Sequence, residues 1–352
     1  MLRRPFTRTI KSSARHLASA VLSLIALGAA VSCATNVPSA PPAQAIQPPQ
    51  LVQQSQLVQP PQPAIPTAAP TQVDASPTAA SAFSAEMPAC PPMTVQFDNL
   101  ASMFPDLRSL VGREQPFRLN PRLLVLIYHN LVFGRTGNEM NRDLYNFVQD
   151  LCYLGSQYRF IRFGEIAAIS RGDLPMNADA AAITFDDGDL SMYMIAYPLL
   201  KAAGIKATFF IVPSLVGQTC YMTWAQIREM AACEGPDGER LFEFGSHTMS
   251  HVSLAGLSRD RIRQELEASK QAIRENAGID VESLSLPFGD GPDQPEIRQI
   301  AAALGYKAIR TSNPLAPAFR DVDPFRTTAL GVLNASSDRL RLDCEKLMGR
   351  IK

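Results

Sequence analysis

Short apolar runs alternate with amphipathic segments from about residue 121 to the end of the chain. The apolar runs have the length of buried strands, and the amphipathic segments repeat their hydrophobic residues every three or four positions, as helices do. The predicted strands are 123–128, 180–185, 207–212, 241–245, 283–286, 306–310 and 325–330. The predicted helices are 141–155, 191–203, 224–233, 258–277, 295–304 and 336–350. About seven alternations predict a parallel α/β fold, and the length favours a barrel of seven or eight units over a small doubly wound sheet.

The first 33 residues have the pattern of an export signal. Five basic residues precede an apolar stretch at 17–31, which is too short for a typical transmembrane span. Residues 30–33 (Ala-Val-Ser-Cys) resemble a lipobox, so we expect Cys33 to be lipidated and to become the first residue of a membrane-anchored protein. The alternative is an ordinary signal peptide that is cleaved near Ala34 and releases the protein.

Residues 34–92 are predicted to form a disordered linker. They contain 14 of the chain's 28 prolines, much Gln and Ala, and only Asp74 and Glu86 as charged residues. Such a composition buries too little apolar surface to offset the entropy of ordering. Proline runs favour an extended chain of about 3.1 Å per residue, so the segment can act as a spacer. We therefore place the folded domain at 93–352.

The composition argues against a nucleic-acid-binding site and against a zinc site built from cysteines. The 33 basic and 33 acidic residues balance, and no basic stretch follows the first 15 residues, so nucleic acid is not an expected partner. None of the six cysteines has the CxxC spacing of a cysteine zinc site. An exported protein can form disulfides, and Cys220 and Cys233 flank a predicted helix closely enough to pair, although sequence does not fix the connectivity.

Two polar motifs follow predicted strands. Asp186 and Asp187 come directly after the strand 180–185, and His247 and His251 follow the strand 241–245. In a helical turn, histidines four residues apart share one face, and one carboxylate would complete a three-ligand metal site with an open position. The other carboxylate could then act as general base. Taken singly, the Asp-Asp-Gly could be a turn and either histidine could be structural, but together the motifs suggest hydrolysis by metal-activated water.

These residues resemble a known family. The matching segments are 184–188 (Thr-Phe-Asp-Asp-Gly), 246–251 (Ser-His-Thr-Met-Ser-His), 207–210 (Ala-Thr-Phe-Phe), 286–289 (Leu-Pro-Phe-Gly) and the Tyr-His at 128–129. They resemble the motifs of the polysaccharide deacetylases, the NodB homology domain of carbohydrate esterase family four. The resemblance covers about residues 123–330 and implies a distorted (β/α)7 barrel with parallel strands.

The resemblance also implies roles for individual residues. Asp187, His247 and His251 would bind Zn²⁺ or another divalent ion such as Co²⁺, and Asp186 would be the base that deprotonates the attacking water. The backbone N–H of Phe288 would hold the oxyanion, next to Pro287 in the same motif. A backbone donor is indifferent to the replacement of the family's usual Tyr by Phe288.

The chain departs from the family pattern in three of its later motifs. The Asp-Trp of the fourth motif is not evident, because the only tryptophan is Trp224. The arginine that often orients the base is replaced by Ser285, and we expect Arg326 to substitute for it. No histidine follows His251, so the family's usual general acid is missing. We hypothesise that His129 protonates the leaving amine; the alternative is a structural hydrogen bond at the barrel rim.

The sequence thus predicts an exported, membrane-tethered, metal-dependent deacetylase. The expected substrate is an N-acetylglucosamine-containing polysaccharide: peptidoglycan, a chitin-like chain or poly-N-acetylglucosamine. One alternative is a catalytically inactive glycan-binding module, which the missing motif residues would allow. The others are an O-acetyl esterase acting on xylan-type glycans and a deacylase of a small amide, because the same chemistry cleaves both bonds.

Overall fold

The computed structural model describes residues 100–134 and 137–352 of the chain. The predicted signal peptide, the predicted lipidation site at Cys33 and the predicted linker lie outside the described residues. The strands are β1 (Leu123–Tyr128), β2 (Asn130–Val132), β3 (Asn141–Asp143), β4 (Arg159–Phe160), β5 (Ala180–Phe185), β6 (Ala207–Ile211), β7 (Phe242–Ser246), β8 (Ser283–Ser285), β9 (Ala308–Arg310) and β10 (Leu330–Gly331). The α-helices are α1 (Leu144–Gln157), α2 (Glu165–Arg171), α3 (Tyr197–Ala203), α4 (Trp224–Ala231), α5 (Arg259–Ala277), α6 (Pro295–Ala303) and α7 (Ser337–Leu347).

The main sheet is parallel and curled. Its strands follow the order β10-β1-β5-β6-β7-β8-β9, and the short β4 pairs with the first two residues of β5. The segment before β10 lies beside β9, where Thr311 N–H donates to the carbonyl of Thr327 at 2.8 Å. This contact brings the two edges of the sheet towards each other. Buried residues of α1 and of α3 to α7 pack against one face of the sheet, and those of α2 pack against the other. The fold is the predicted distorted barrel of alternating strands and helices.

Aromatic rings fill the space between the sheet and its helices. Every residue of β1, β5 and β6 is buried, as expected for strands covered on both faces. Phe185 stacks on Phe209 with ring centroids 4.9 Å apart, and Phe209 stacks on Phe244 at 5.5 Å. The three rings come from adjacent strands, so they hold β5, β6 and β7 in register just below the ends that carry the polar motifs.

Two predicted elements differ most from those observed, and the first three residues of the predicted helix 141–155 form β3 instead. The predicted helix 191–203 begins as a π-helical turn at Met192–Ala196 and becomes α-helical only at Tyr197. Pro198 explains the break, because proline has no backbone N–H and its ring clashes with the carbonyl four residues earlier. The predicted strand 325–330 is instead a 3₁₀ turn at Pro324–Arg326 followed by the two-residue β10.

A buried ion pair joins β3 to the middle of α1, and its carboxylate also contacts the start of α7. Arg142 and Asp150 are 1% and 0% exposed and form a two-point contact, with Nη2 to Oδ1 at 2.6 Å and Nε to Oδ2 at 2.8 Å. Tyr128 Oη donates to Asp150 Oδ2 at 3.1 Å, and Ser337 Oγ, at the start of α7, donates to Oδ1 at 2.5 Å. The carboxylate therefore joins β1, β3, α1 and α7 in one hydrogen-bonded network.

Two further sequence-based expectations can be compared with the structure. Cys233 is a buried free thiol, so the disulfide with Cys220 that the sequence allowed is not formed. Across 100–134 and 137–352, no helix is both long and apolar enough to cross a membrane.

Candidate metal and catalytic site

The polar motifs meet at the carboxyl ends of the strands. Asp186 and Asp187 follow β5, and His247 follows β7, two strands further along the sheet. The carboxyl ends of parallel strands share one edge, which is where barrel enzymes place reactive groups. Asp186 N–H donates to the carbonyl of Tyr128 at 3.0 Å, so His129 is held at the same edge from β1.

Asp187, His247 and His251 form a cluster suited to one metal ion. Asp187 Oδ1 lies 3.5 Å from His247 Nε2 and 3.2 Å from His251 Nε2, and the three ligand atoms all lie within 4.8 Å of one another. His247 Nδ1 contacts the carbonyl of Ser285 at 3.0 Å. A proton held on Nδ1 by that carbonyl leaves Nε2 free as a ligand. The donor set of one carboxylate and two imidazoles fits Zn²⁺ or a similar divalent ion.

The electrostatics of the cluster match its ligand chemistry. Burial by itself raises the pKa of Asp187, but the contact with His251 and the charges of the surrounding imidazoles outweigh it and lower this pKa to about 2. Burial lowers the pKa of His247, although both carboxylates oppose the effect. The contact with Asp187 raises the pKa of His251, against a smaller effect of burial. Asp187 is therefore a carboxylate at any physiological pH, and His247 favours the neutral form that binds metals.

The two histidines lie in a turn and not on a helix, contrary to the sequence-based expectation. The turn is held by Glu265 of α5, whose carboxylate accepts from Met249 N–H at 3.1 Å and from Ser250 N–H at 3.0 Å and Oγ at 2.9 Å. His251 has φ +57°, in the left-handed region. Glu265 is 3% exposed and thus fixes the geometry of the turn from the core.

Left-handed backbone is concentrated at this edge of the barrel. Of the five non-glycine residues with positive φ in the described chain, Asp187, Thr248, His251 and Phe288 border the cluster, and the fifth is Cys220. Such conformations cost energy for residues that carry a Cβ, and folds retain them mainly at functional sites. The backbone strain thus points to the same place as the side-chain chemistry.

Asp186 is buried beside the cluster and has a cationic partner that the sequence did not reveal. Its Oδ2 accepts from the guanidinium of Arg310, on β9, and lies 3.7 Å from His247 Nε2. Its Oδ1 is buried without a hydrogen-bond partner among the described residues. The expectation that Arg326 takes this place is not met, because Arg326 pairs with Asp293 at 2.5 Å and is 45% exposed. Arg326 is on the 3₁₀ turn that replaces the predicted strand, and its side chain follows that turn outwards.

Phe288 presents an unused backbone donor to the site. It has φ +59°, and none of the hydrogen bonds in the described chain uses its N–H. Its side chain is 67% exposed, and its ring centroid lies 4.9 Å from that of His251. Pro287, which precedes it, is buried and begins the 3₁₀ turn. The position suits an oxyanion donor, because a carbonyl oxygen close to His251 could accept from this N–H.

His129 is half-buried at the rim next to Asp187. Its Nδ1 is buried without a hydrogen-bond partner in the part of the chain that the structure describes, so no contact there supports the alternative of a structural hydrogen bond through Nδ1. The electrostatic interaction with His129 is one of the causes that lower the pKa of Asp187, so the two groups lie within electrostatic range of each other. An imidazole with an unused ring nitrogen near the cluster could transfer a proton.

Comparison with known proteins gives the same assignment as the motifs. The polysaccharide deacetylase family model matches residues 173–309, which contain both carboxylates and both histidines. YxkH of Bacillus subtilis (strain 168), a protein assigned to the polysaccharide deacetylases, is 28% identical over 210 residues, which are 59% of this chain and 70% of YxkH. Peptidoglycan-N-acetylglucosamine deacetylase of Bacillus cereus (strain ATCC 14579) is 31% identical over 117 residues, 33% of this chain and 38% of that enzyme.

The fold has solved counterparts. The Streptococcus pyogenes deacetylase PplD in complex with acetate superposes with a TM-score of 0.55 and 25% identity, covering 64% of this chain and 98% of that structure. The chain spans less than two thirds of the length of the Bacillus cereus enzyme, whereas it covers PplD almost completely. The region matched by the family model includes β5 to β8, the first two residues of β9 and all three residues of the candidate metal-binding cluster. Residues 173–309 of the chain therefore form a polysaccharide deacetylase domain.

Proposed function

We propose that the protein is a metal-dependent hydrolase that removes N-acetyl groups from an N-acetylglucosamine-containing polysaccharide. The observation that carries the proposal is the three-ligand cluster with a second, separately held carboxylate beside it. When bound by Asp187, His247 and His251, a divalent ion such as Zn²⁺ or Co²⁺ would polarise the acyl carbonyl and make water acidic enough to ionise near neutral pH. A purely glycan-binding module has no need for this pair of carboxylates.

Three groups of the protein carry out the other steps of the hydrolysis. Asp186 accepts the proton of the attacking water on Oδ1, the carboxylate oxygen without a protein partner among the described residues. Phe288 N–H donates to the oxygen that becomes negatively charged as the carbonyl is attacked. His129 donates a proton to the departing amine. Each group lies at the strand edge that carries the cluster, so all three can act on one acetyl group.

The proposed substrate is based on a relative, and the proposed location is based on the sequence. A relative is named for action on the N-acetylglucosamine of peptidoglycan, and chitin-like and poly-N-acetylglucosamine chains present the same acetamido group. We propose that export and a lipid anchor at Cys33 place the domain 93–352 outside the cytoplasmic membrane. The proline-rich residues 34–92 would then give the anchored enzyme the reach that a wall polymer requires.

Metal content and acetate release test the proposal together. Full-length protein is expected to bind one divalent ion per chain and to release acetate from chito-oligosaccharides, peptidoglycan or poly-β-1,6-N-acetylglucosamine. A chelator should abolish the release, and Zn²⁺ or Co²⁺ should restore it. Bound metal without acetate release from any of these glycans would favour the binding module. Release from acetylated xylan alone would favour the O-acetyl esterase.

The role of His129 gives a separate prediction. His129→Ala is expected to lower kcat for an N-acetyl glycan roughly 10²-fold, because general acid catalysis typically contributes 10²–10⁴. Metal content should be unchanged, because His129 is not one of the three ligands. A phenyl acetate ester has a leaving group that needs no proton, so its hydrolysis by the variant serves as the internal control. Near-normal turnover of the glycan would dismiss His129 as the acid.

A further inference from the structure

A buried arginine lies behind the carboxylate of Asp186, and only some of its N–H groups have hydrogen-bond partners among the described residues. Arg310 is 2% exposed, and among the described residues its only ion pair is with Asp186. Its Nε is buried without a hydrogen-bond partner in that same part of the chain. Burying a guanidinium is costly, and an unsatisfied N–H adds to that cost. A fold gains little stability from this arrangement, so the arrangement requires another explanation.

The neighbouring strand leaves room for the guanidinium to reach the carboxylate. Ser285 on β8 and Arg310 on β9 are paired in the parallel register, and their side chains meet on the interior face of the barrel. Both reach the same oxygen of Asp186: Ser285 Oγ lies 3.5 Å from Oδ2, and Arg310 Nη2 contacts it directly. A larger side chain at Ser285 would occupy the path of the guanidinium.

The arginine is also fixed from its other side. Its guanidinium carbon lies 5.3 Å from the centroid of the Phe210 ring, which is within range for a cation–π contact. Phe210 is itself fully buried on β6. The planar group is therefore held between an aromatic ring and the carboxylate, and it has little freedom to rotate away.

We propose that Arg310 is the positioning residue of Asp186 and that Ser285 is the matching small residue that lets it act from β9. The guanidinium occupies Oδ2, so Oδ1 remains the one carboxylate oxygen turned to the reacting water. Arg310 touches neither substrate nor metal and acts only through Asp186. The proposal rests on the deacetylase function proposed above.

The test compares variants of the full-length, metal-loaded protein. Arg310→Met keeps the bulk of the side chain and removes its charge, and it is expected to lower kcat roughly 10²-fold with KM and metal affinity unchanged. Adding guanidinium ion to Arg310→Ala should restore part of kcat by filling the vacated space. The kcat of Arg310→Lys should lie between those of Arg310→Met and the wild type, because an ammonium ion keeps the charge but lacks the planar, multi-donor geometry of the guanidinium.

The double variant that exchanges Ser285 and Arg310 is the most discriminating test. Ser285→Arg combined with Arg310→Ser returns a guanidinium to Asp186 from the adjacent strand and should recover most of kcat, whereas Ser285→Arg alone should be impaired by crowding. Should Arg310→Met fail to fold, a folded and active exchange variant would still support the proposal. An exchange variant that folds, binds metal and stays inactive would overturn it, and so would Arg310→Met with a kcat within about threefold of wild type. Wild-type protein that releases no acetate would instead count against the deacetylase function.

Discussion

Replacing Asp186 by asparagine is expected to lower acetate release roughly 10³-fold while leaving the bound metal in place. The amide keeps the shape of the side chain and can still contact Arg310, but it cannot accept the proton of the attacking water. The three ligand atoms belong to other residues, so metal content should equal that of the wild type. Steady-state acetate release and metal analysis on the same preparation check both halves of the prediction.

Asp293 supplies a matched control for this change. It is also an aspartate paired with an arginine, Arg326, but it is 73% exposed and lies outside the cluster. Asp293→Asn should therefore leave kcat unchanged, whereas the role that the sequence suggests for Arg326 would make that pair important. Asp186→Asn that retains more than about a tenth of wild-type activity would contradict the assignment of Asp186 as base.

The two adjacent carboxylates differ because their partners differ. Asp187 faces two imidazoles, and its pKa of about 2 keeps it charged and ready to bind a cation. Asp186 faces a guanidinium on one oxygen, and its other oxygen has no partner among the described residues. Successive residues at a strand end point in different directions, and the left-handed backbone of Asp187 turns it further towards the histidines. One dipeptide can thus provide a ligand and a base.

The sequence predicted the parts of the site that are contiguous or that follow a strand. Asp186 and Asp187 end a continuous apolar run, and such a run in an alternating α/β pattern places its carboxyl end at the shared edge. Arg310 could not be predicted, because its partner lies 124 positions earlier in the chain. Only the register between β8 and β9 brings it into place, and neither hydropathy nor motif spacing contains that register.

Two wrong predictions have local causes. The prediction of a strand at 325–330 is based on the apolar residues of this segment. Asp323 instead caps a turn that Pro324 begins, and this Asp-Pro turn signal outweighs the apolar pattern. The spacing of His247 and His251 alone predicts a helix. Their proximity comes instead from a turn held by Glu265, a contact between the loop after β7 and α5 that periodicity could not show.

Breaking the buried Arg142–Asp150 pair should destabilise the fold far more than breaking an exposed ion pair. Asp150→Ala leaves a guanidinium buried and unpaired, which typically costs about 3–5 kcal/mol. For a domain of this size that corresponds to a fall in melting temperature of about 10 °C. The network also supports Tyr128, the residue before His129, so kcat should fall with stability. Thermal and urea unfolding of the metal-loaded protein measure the effect.

Comparison with an exposed ion pair shows whether burial or charge causes the loss of stability. Arg171 and Asp173 are 2.8 Å apart, but they are 57% and 60% exposed. Asp173→Ala should therefore cost less than about 1 kcal/mol, because solvent screens exposed pairs. Replacing both buried partners by apolar residues, as in Arg142→Met with Asp150→Leu, should recover much of the loss, since no charge is then left unpaired. Equal losses for Asp150→Ala and Asp173→Ala would mean that the buried network does not hold α1 and α7 together as its geometry indicates.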